Sequence, residues 1–188
     1  MTLYLVRHGP VLVDRRSPPS EWALDMDAAP SMAEWAGRLP QHSDAHWVSS
    51  PEPKAIATAR RLTKGAVAED PRLGEVRRGG WDPNYEAAVV RFLAEPAIPP
   101  AAEWESAAAA GQRFVAGVRH HAAMPAQDVV VVTHGLVLTL LRAHLSGQPA
   151  DVRSWKDLRF PDVLVLAEPD RRAWLADDSF RCAISRPA

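Results

Sequence analysis

Strand-like and helix-like segments alternate along this chain, and that alternation predicts an α/β fold: a three-layer α/β/α sandwich around a mostly parallel central sheet. Two further observations sharpen the prediction. Leu3-Tyr4-Leu5-Val6 and Val129-Val130-Val131-Val132 are β-prone and apolar without alternation, the pattern of strands covered on both faces. Each run then stops at a His-Gly pair, Arg7-His8-Gly9 in the first and Thr133-His134-Gly135 in the second.

The other elements follow in order. His46–Ser49 reads as a short strand. A helical pattern runs from Pro51 to Leu62, with Ser50 as N-cap and Pro51 in the first helical position. Ala66–Glu69 is a weaker strand. Helices are expected near Ser31–Leu39, over Asn84–Leu93, and from Glu103 towards Met124, where Ala and charged residues dominate. Leu136, Leu140, Leu141 and Leu145 carry helical spacing after the second His-Gly pair. Asp162–Leu166 and Ala173–Ala176 read as strands, joined by a turn at Glu168-Pro169-Asp170-Arg171. Pro10–Ala29 and Pro96–Ala102 are too irregular or too Pro-rich for simple connections and are expected as loops over a site.

Composition bounds the function. A length of 188 residues fits a single domain over 1–188 with a substantial core. Hydrophobic residues at 47% and charged residues at 24% are an ordinary globular balance. A net charge of −1 supplies no global field for nucleic acid or an anionic membrane, so neither is expected as a partner. The lone Cys182 permits neither an intrachain disulfide nor a Cys-based metal cluster, and is expected to pack inertly. The N-terminus has no signal-peptide pattern, and no apolar run approaches the ~20 residues that span a bilayer. A cytoplasmic protein without metal or cofactor is the expectation.

Ligands of open α/β sheets bind at the carboxyl ends of strands. Both His-Gly pairs would sit at such ends, and their imidazoles would converge if the two strands are neighbours. The glycines let backbone approach a ligand closely, and the helix after His134 offers N–H groups and a positive dipole end to an anion. Arg7 adds a planar donor fork suited to phosphate. Neutral imidazole is a nucleophile near pH 7, because its reference pKa is about 6.5. Phosphoryl transfer asks mostly for positioning and charge stabilisation, which this set supplies.

These residues resemble the histidine phosphatase superfamily, the phosphoglycerate-mutase-like group. Leu5-Val6-Arg7-His8-Gly9 looks like the family signature, and Val132-Thr133-His134-Gly135 like its second histidine motif. Ser49 to Ala59 resembles the Ser-Pro-x-x-Arg-Ala-x-x-Thr-Ala segment. Arg72-Leu73-Gly74-Glu75, with Gly80-Trp81, resembles the segment carrying the family's acidic proton donor, and Glu105-Ser106 with Arg113 echoes a later element. The resemblance implies that His8 is the phosphorylated nucleophile and that Arg7, His134 and Gly135 hold the phosphoryl group. It implies that Glu75 protonates the leaving oxygen. Lys54 stands where the family has arginine, keeping the charge but losing the bidentate fork. Val11 replaces a common Ser or Thr, and Trp104 stands where a Gly precedes Glu105-Ser106.

Three activities fit: a phosphatase, a phosphomutase, or a non-catalytic phosphate-binding regulatory module on the same fold. The mutases that the chain resembles are longer, with segments that close the site against water, so a phosphatase acting on a small phosphorylated substrate is the favoured reading. Among the remaining residues, Trp22 and Trp81 are candidates for the pocket wall, while Trp35, Trp47, Trp155 and Trp174 are expected in or near the core. His120 and His121 are expected at the surface, and His144 in a structural role. His42 and His46 lie at a loop-to-strand boundary, where a spacing of four makes no metal pair.

Overall fold

The computed structural model describes residues 2–28, 32–125, 128–177, 179, 181 and 182. Five strands form one sheet: β1 (Leu3–Arg7), β2 (Ala45–Ser49), β3 (Ala68–Glu69), β4 (Asp128–Thr133) and β5 (Asp162–Leu166). Their order is β3-β2-β4-β1-β5; the first four are mutually parallel and β5 runs antiparallel to β1.

Side chains on a strand alternate between faces, so each apolar run feeds two cores. Leu3, Leu5, Val129 and Val131 point to one face, where they meet α3 (Tyr85–Ala94), α4 (Ala107–Ala122), α5 (Gly135–Ser146) and α7 (Glu168–Ala176) through residues such as Phe92, Phe114, Leu138 and Trp174. Val6, Val130, Val132 and Val163 point the other way, onto Ala55, Ala59 and Leu62 of α2 (Pro53–Leu62), with α1 (Met32–Ala36) alongside. The short α6 (Val152–Lys156) packs near α3 and α5. Helices therefore cover both faces of a mostly parallel sheet, as the sequence predicts.

Several elements depart from expectation. The helix expected from Pro51 begins at Pro53, with Glu52 in the N-cap position. Ser50 stays extended because its N–H continues the ladder to the Val132 carbonyl at 2.9 Å, and its hydroxyl accepts the Glu52 N–H at 3.2 Å. The strand expected at Ala173–Ala176 is instead the end of α7. Glu168-Pro169-Asp170, read as a turn, is a helix start: proline within the first turn costs no hydrogen bond, and acidic residues there favour the dipole. Arg171 and Trp174, three apart, bury one face of that helix. The helix expected over Ser31–Leu39 is reduced to Met32–Ala36, and Ser31 lies outside the described residues.

Ser106 caps α4 by accepting the Ala109 N–H at 3.2 Å, and Gly147, at φ 68°, ends α5 in the left-handed conformation that glycine adopts without strain. Phe114 is fully buried between α4 and the sheet. Phe114→Ala is expected to lower unfolding free energy by about 3–5 kcal/mol, since the cavity closes only partly. Urea denaturation would measure it; a loss under about 1 kcal/mol would mean that this core layer is not the close-packed one described.

Candidate active site

The parallel register pairs Arg7 with Thr133, so the next residues, His8 and His134, leave neighbouring strands side by side. Their ring centroids lie 5.0 Å apart. The ladder persists one step beyond the strands, with the His8 N–H on the Thr133 carbonyl at 2.9 Å. The loops after β1, β2 and β4 thus converge at one carboxyl edge. Because β5 is antiparallel, the chain entering it reaches the same edge, and Phe160 packs 5.5 Å from His8 and 3.4 Å from the Arg7 guanidinium.

His8 is buried, and its Nδ1 lies 2.7 Å from the Gly9 carbonyl. A carbonyl only accepts, so the ring proton sits on Nδ1 and the Nε2 lone pair is left for attack. Burial holds the His8 pKa well below its ordinary value; the His134 ring and the Lys54 cation push the same way, against the Gly9 bond. His134 is fully buried, with Nε2 at 2.8 Å from the Ser50 hydroxyl and 3.3 Å from Glu52 Oε1. Burial, then Lys54 and Arg7, keep it well below its ordinary value too.

Arg7 donates to the Leu158 carbonyl at 2.6 Å, and burial lowers its pKa to about 10, which leaves it charged at neutral pH. Its guanidinium lies against the start of α5; a Cβ at Gly135 would come within 3.0 Å of its carbon, so glycine there makes room for the arginine. Two buried nitrogens in this cluster, Arg7 Nε and His134 Nδ1, have no hydrogen-bond partner. Buried polar nitrogens left unpaired are costly, and here they sit together at a helix N-terminus, a place that favours an anion.

Lys54 is buried, donating to the Pro19 carbonyl at 2.7 Å and pairing with Glu52. Glu75 lies at the first turn of α5, its carboxylate accepting the Leu136 and Val137 amides at 3.1 and 3.2 Å. Burial pushes its pKa up against the pull of the Leu136 amide, and the Glu52 carboxylate adds to the rise. A brace from α4 fixes this loop: Arg113 donates to the carbonyls of Arg72, Gly74 and Glu75 at 2.9, 3.0 and 3.1 Å, and pairs with Glu105.

Arg7, His8, Glu52, Lys54 and Glu75 open on a cavity of about 330 Å³, whose wall also includes Trp22, Arg78, Tyr85, Trp155 and Phe160. Pro19–Glu21 form a short 3₁₀ turn in the loop after β1, which folds over the cavity and is held by the Leu12 and Asp25 amides on the carbonyls of Ala23 and Pro10.

The model of the histidine phosphatase superfamily (branch 1) matches residues 3–166. The chain belongs to that superfamily. No curated protein matches. Among solved structures, the protein TTHB049 from Thermus thermophilus is similar in fold at TM-score 0.64 and 24% identity, covering 100% of this chain and 99% of its own. The mycobacterial glucosyl-3-phosphoglycerate phosphatase is similar at TM-score 0.67 and 25% identity, over 88% of this chain and 89% of its own. A second structure of that phosphatase, in complex with VO3, aligns at TM-score 0.68. Superfamily and neighbours together place the chain among phosphatase- or mutase-type enzymes.

Every site residue named from the histidine phosphatase motifs lies at this edge: Arg7, His8, Lys54, Glu75, His134 and Gly135. Other expectations are corrected. Trp81 lies outside the cavity wall, with the Arg15 guanidinium 4.4 Å over its ring; Trp155, packed against the core as expected, also lines the cavity. His121 is buried, bridging Asp70 at 2.9 Å and His46 at 3.0 Å, because it falls on the inner face of α4. Sequence reasoning misses Ser50 and Glu52, both inside a segment it recognises: Ser50 reads as a helix cap, and Glu52 occupies an unspecified position of the motif. Arg78, Tyr85 and Phe160 carry no local signal, since only tertiary packing brings them here.

The lowered His8 pKa gives a test. At pH 6 a free histidine is mostly protonated, whereas His8 is expected to remain neutral with its proton on Nδ1. Nitrogen chemical shifts of the ring would report this directly; an imidazolium signal for His8 at pH 6 in the free protein would contradict it.

Proposed function

We propose that this chain is a phosphatase that hydrolyses a small phosphate ester through a phosphohistidine on His8. The observation that carries the reading is the His8 ring held neutral, Nδ1 on the Gly9 carbonyl and Nε2 free, beside the unpaired Arg7 Nε and His134 Nδ1. A phosphoryl group placed there accepts from Arg7 Nε and meets the nucleophile.

In the first step the Nε2 lone pair of His8 forms the N–P bond as the P–O bond to the alcohol breaks. Arg7, His134 and Lys54 hold the three phosphoryl oxygens, where the charge of the transition state is spread. Glu75, raised by burial, gives its proton to the departing oxygen. In the second step water attacks phosphorus, the N–P bond breaks and returns its electron pair to His8, and the Glu75 carboxylate takes the proton of the water. The products are the alcohol and inorganic phosphate. The cavity of about 330 Å³ leaves room beyond the phosphoryl group for the alcohol. The similar mycobacterial enzyme is, by its name, a glucosyl-3-phosphoglycerate phosphatase, and its complex with VO3 supports a phosphatase reading for this chain.

The role of Glu75 makes the leaving group the variable. An alkyl phosphate releases an oxygen that needs a proton, while an activated aryl phosphate releases a stable phenolate. Glu75→Gln is expected to slow single-turnover phosphorylation by an alkyl phosphate roughly a hundredfold or more. Phosphorylation by an aryl phosphate should slow far less. Equal losses with both would assign Glu75 to binding or folding and remove it from proton transfer.

A further inference from the structure

A site built to bind a phosphate dianion contains a second carboxylate that phosphate chemistry does not call for. Glu52 stands in the N-cap position of α2, yet its side chain caps nothing there. It turns instead into the cluster. One oxygen, Oε1, accepts the backbone N–H of Glu75 at 2.7 Å and lies 3.3 Å from His134 Nε2. The other, Oε2, pairs with the Lys54 ammonium. Its side chain is only 12% exposed, so these contacts are made largely out of water, where charges act strongly on one another. An anion in this position opposes substrate binding, and its contacts point to what offsets that cost.

We propose that Glu52 is a positioning residue for the reaction: it fixes the Lys54 ammonium in the phosphate clamp and sets its own negative charge beside Glu75, so that Glu75 meets the substrate still holding its proton. The proposal rests on the phosphatase reading above. Its geometric basis is the link from one carboxylate to both partners. Through Oε1 it ties the loop that carries Glu75 to the start of the helix that carries Lys54, and through Oε2 it pairs with that cation.

The other groups facing Glu75 show why such balance is needed. Arg7 of β1 is a cation close enough to interact with it, and Tyr85 of α3 faces it as well. Arg113 of α4 donates to its carbonyl, and the first turn of α5 presents two amides to its carboxylate. Arg7, the Val76 amide at 3.1 Å and the α5 amides all favour the ionised form, which cannot serve as an acid. Burial and the Glu52 charge act in the opposite sense.

Glu52→Gln keeps the size of the side chain and an oxygen to accept the Glu75 amide, but removes the charge. Single-turnover phosphorylation by an alkyl phosphate should fall with rising pH as Glu75 ionises. In Glu52→Gln this basic limb is expected to move towards acid by about one pH unit. With an activated aryl phosphate, which needs no acid, the basic limb should not move. Glu52→Asp, which retains the charge, should return the alkyl limb most of the way, a rescue that a merely structural contact would not produce at pH-limb level. Thermal melts of both variants identify any general loss of fold; should Glu52→Gln not fold, the carboxyl carbon shift of Glu75 in the wild-type enzyme decides instead, and an ionised Glu75 on the plateau of the alkyl-phosphate profile overturns the proposal. An alkyl limb unmoved in Glu52→Gln while wild-type His8 is phosphorylated overturns the proposal and leaves the phosphatase reading intact. No phosphorylation of wild-type His8 by either ester overturns both.

Discussion

The parallel pairing of β1 with β4, with Arg7 level with Thr133, is the constraint from which the site is built. A slip of one residue would turn every side chain of β1 to the opposite face, moving Leu3 and Leu5 out of one core and Val6 out of the other. The apolar faces therefore enforce the register, and the register sets His8 beside His134. Ser50 is added by the same ladder through its bond to Val132, and Phe160 by the antiparallel return of β5. Chemistry at this edge is a consequence of strand packing well below it.

The electrostatics of the edge follow from burial. Two histidines kept neutral, an arginine kept charged, and a lysine matched by a glutamate leave donors aimed at one point without piling up uncompensated charge. The unpaired Arg7 Nε and the helix N-terminus are stabilised when an anion arrives. Rigid support comes from further out: Arg113 holds three carbonyl groups of the Glu75 loop, and Glu105 holds Arg113. The Glu105-Ser106…Arg113 element of the sequence thus acts through the backbone of its neighbour, with Ser106 starting the helix that carries the arginine.

Most of the sheet and the centre of the site were legible in the sequence because both depend on local signals. Apolar runs covered on both faces announce β1 and β4, and the His-Gly pairs mark their ends. The first turn of α7 was misread because Glu-Pro-Asp serves a tight turn and a helix start equally well; what decides is the burial of Arg171 and Trp174 three residues apart, a tertiary fact. Ser50 looked like a helix cap for the same reason: Pro51 and Pro53 each fit a first helical position, and the bond to Val132 that selects between them is long-range. The pocket wall of Arg78, Tyr85 and Phe160 could not be read at all, since these residues come from separate loops and helices that only the packed sheet brings together.

The central claim is that Nε2 of His8 accepts the phosphoryl group. The most direct measurement is to quench the enzyme in base during turnover and to locate the acid-labile phosphate by mass spectrometry, with phosphorus NMR distinguishing the ring nitrogens. The account predicts phosphate on His8 at Nε2, because Nδ1 is engaged by the Gly9 carbonyl. Phosphate on His134, on Nδ1 of His8, or sustained turnover with no phosphohistidine would contradict it.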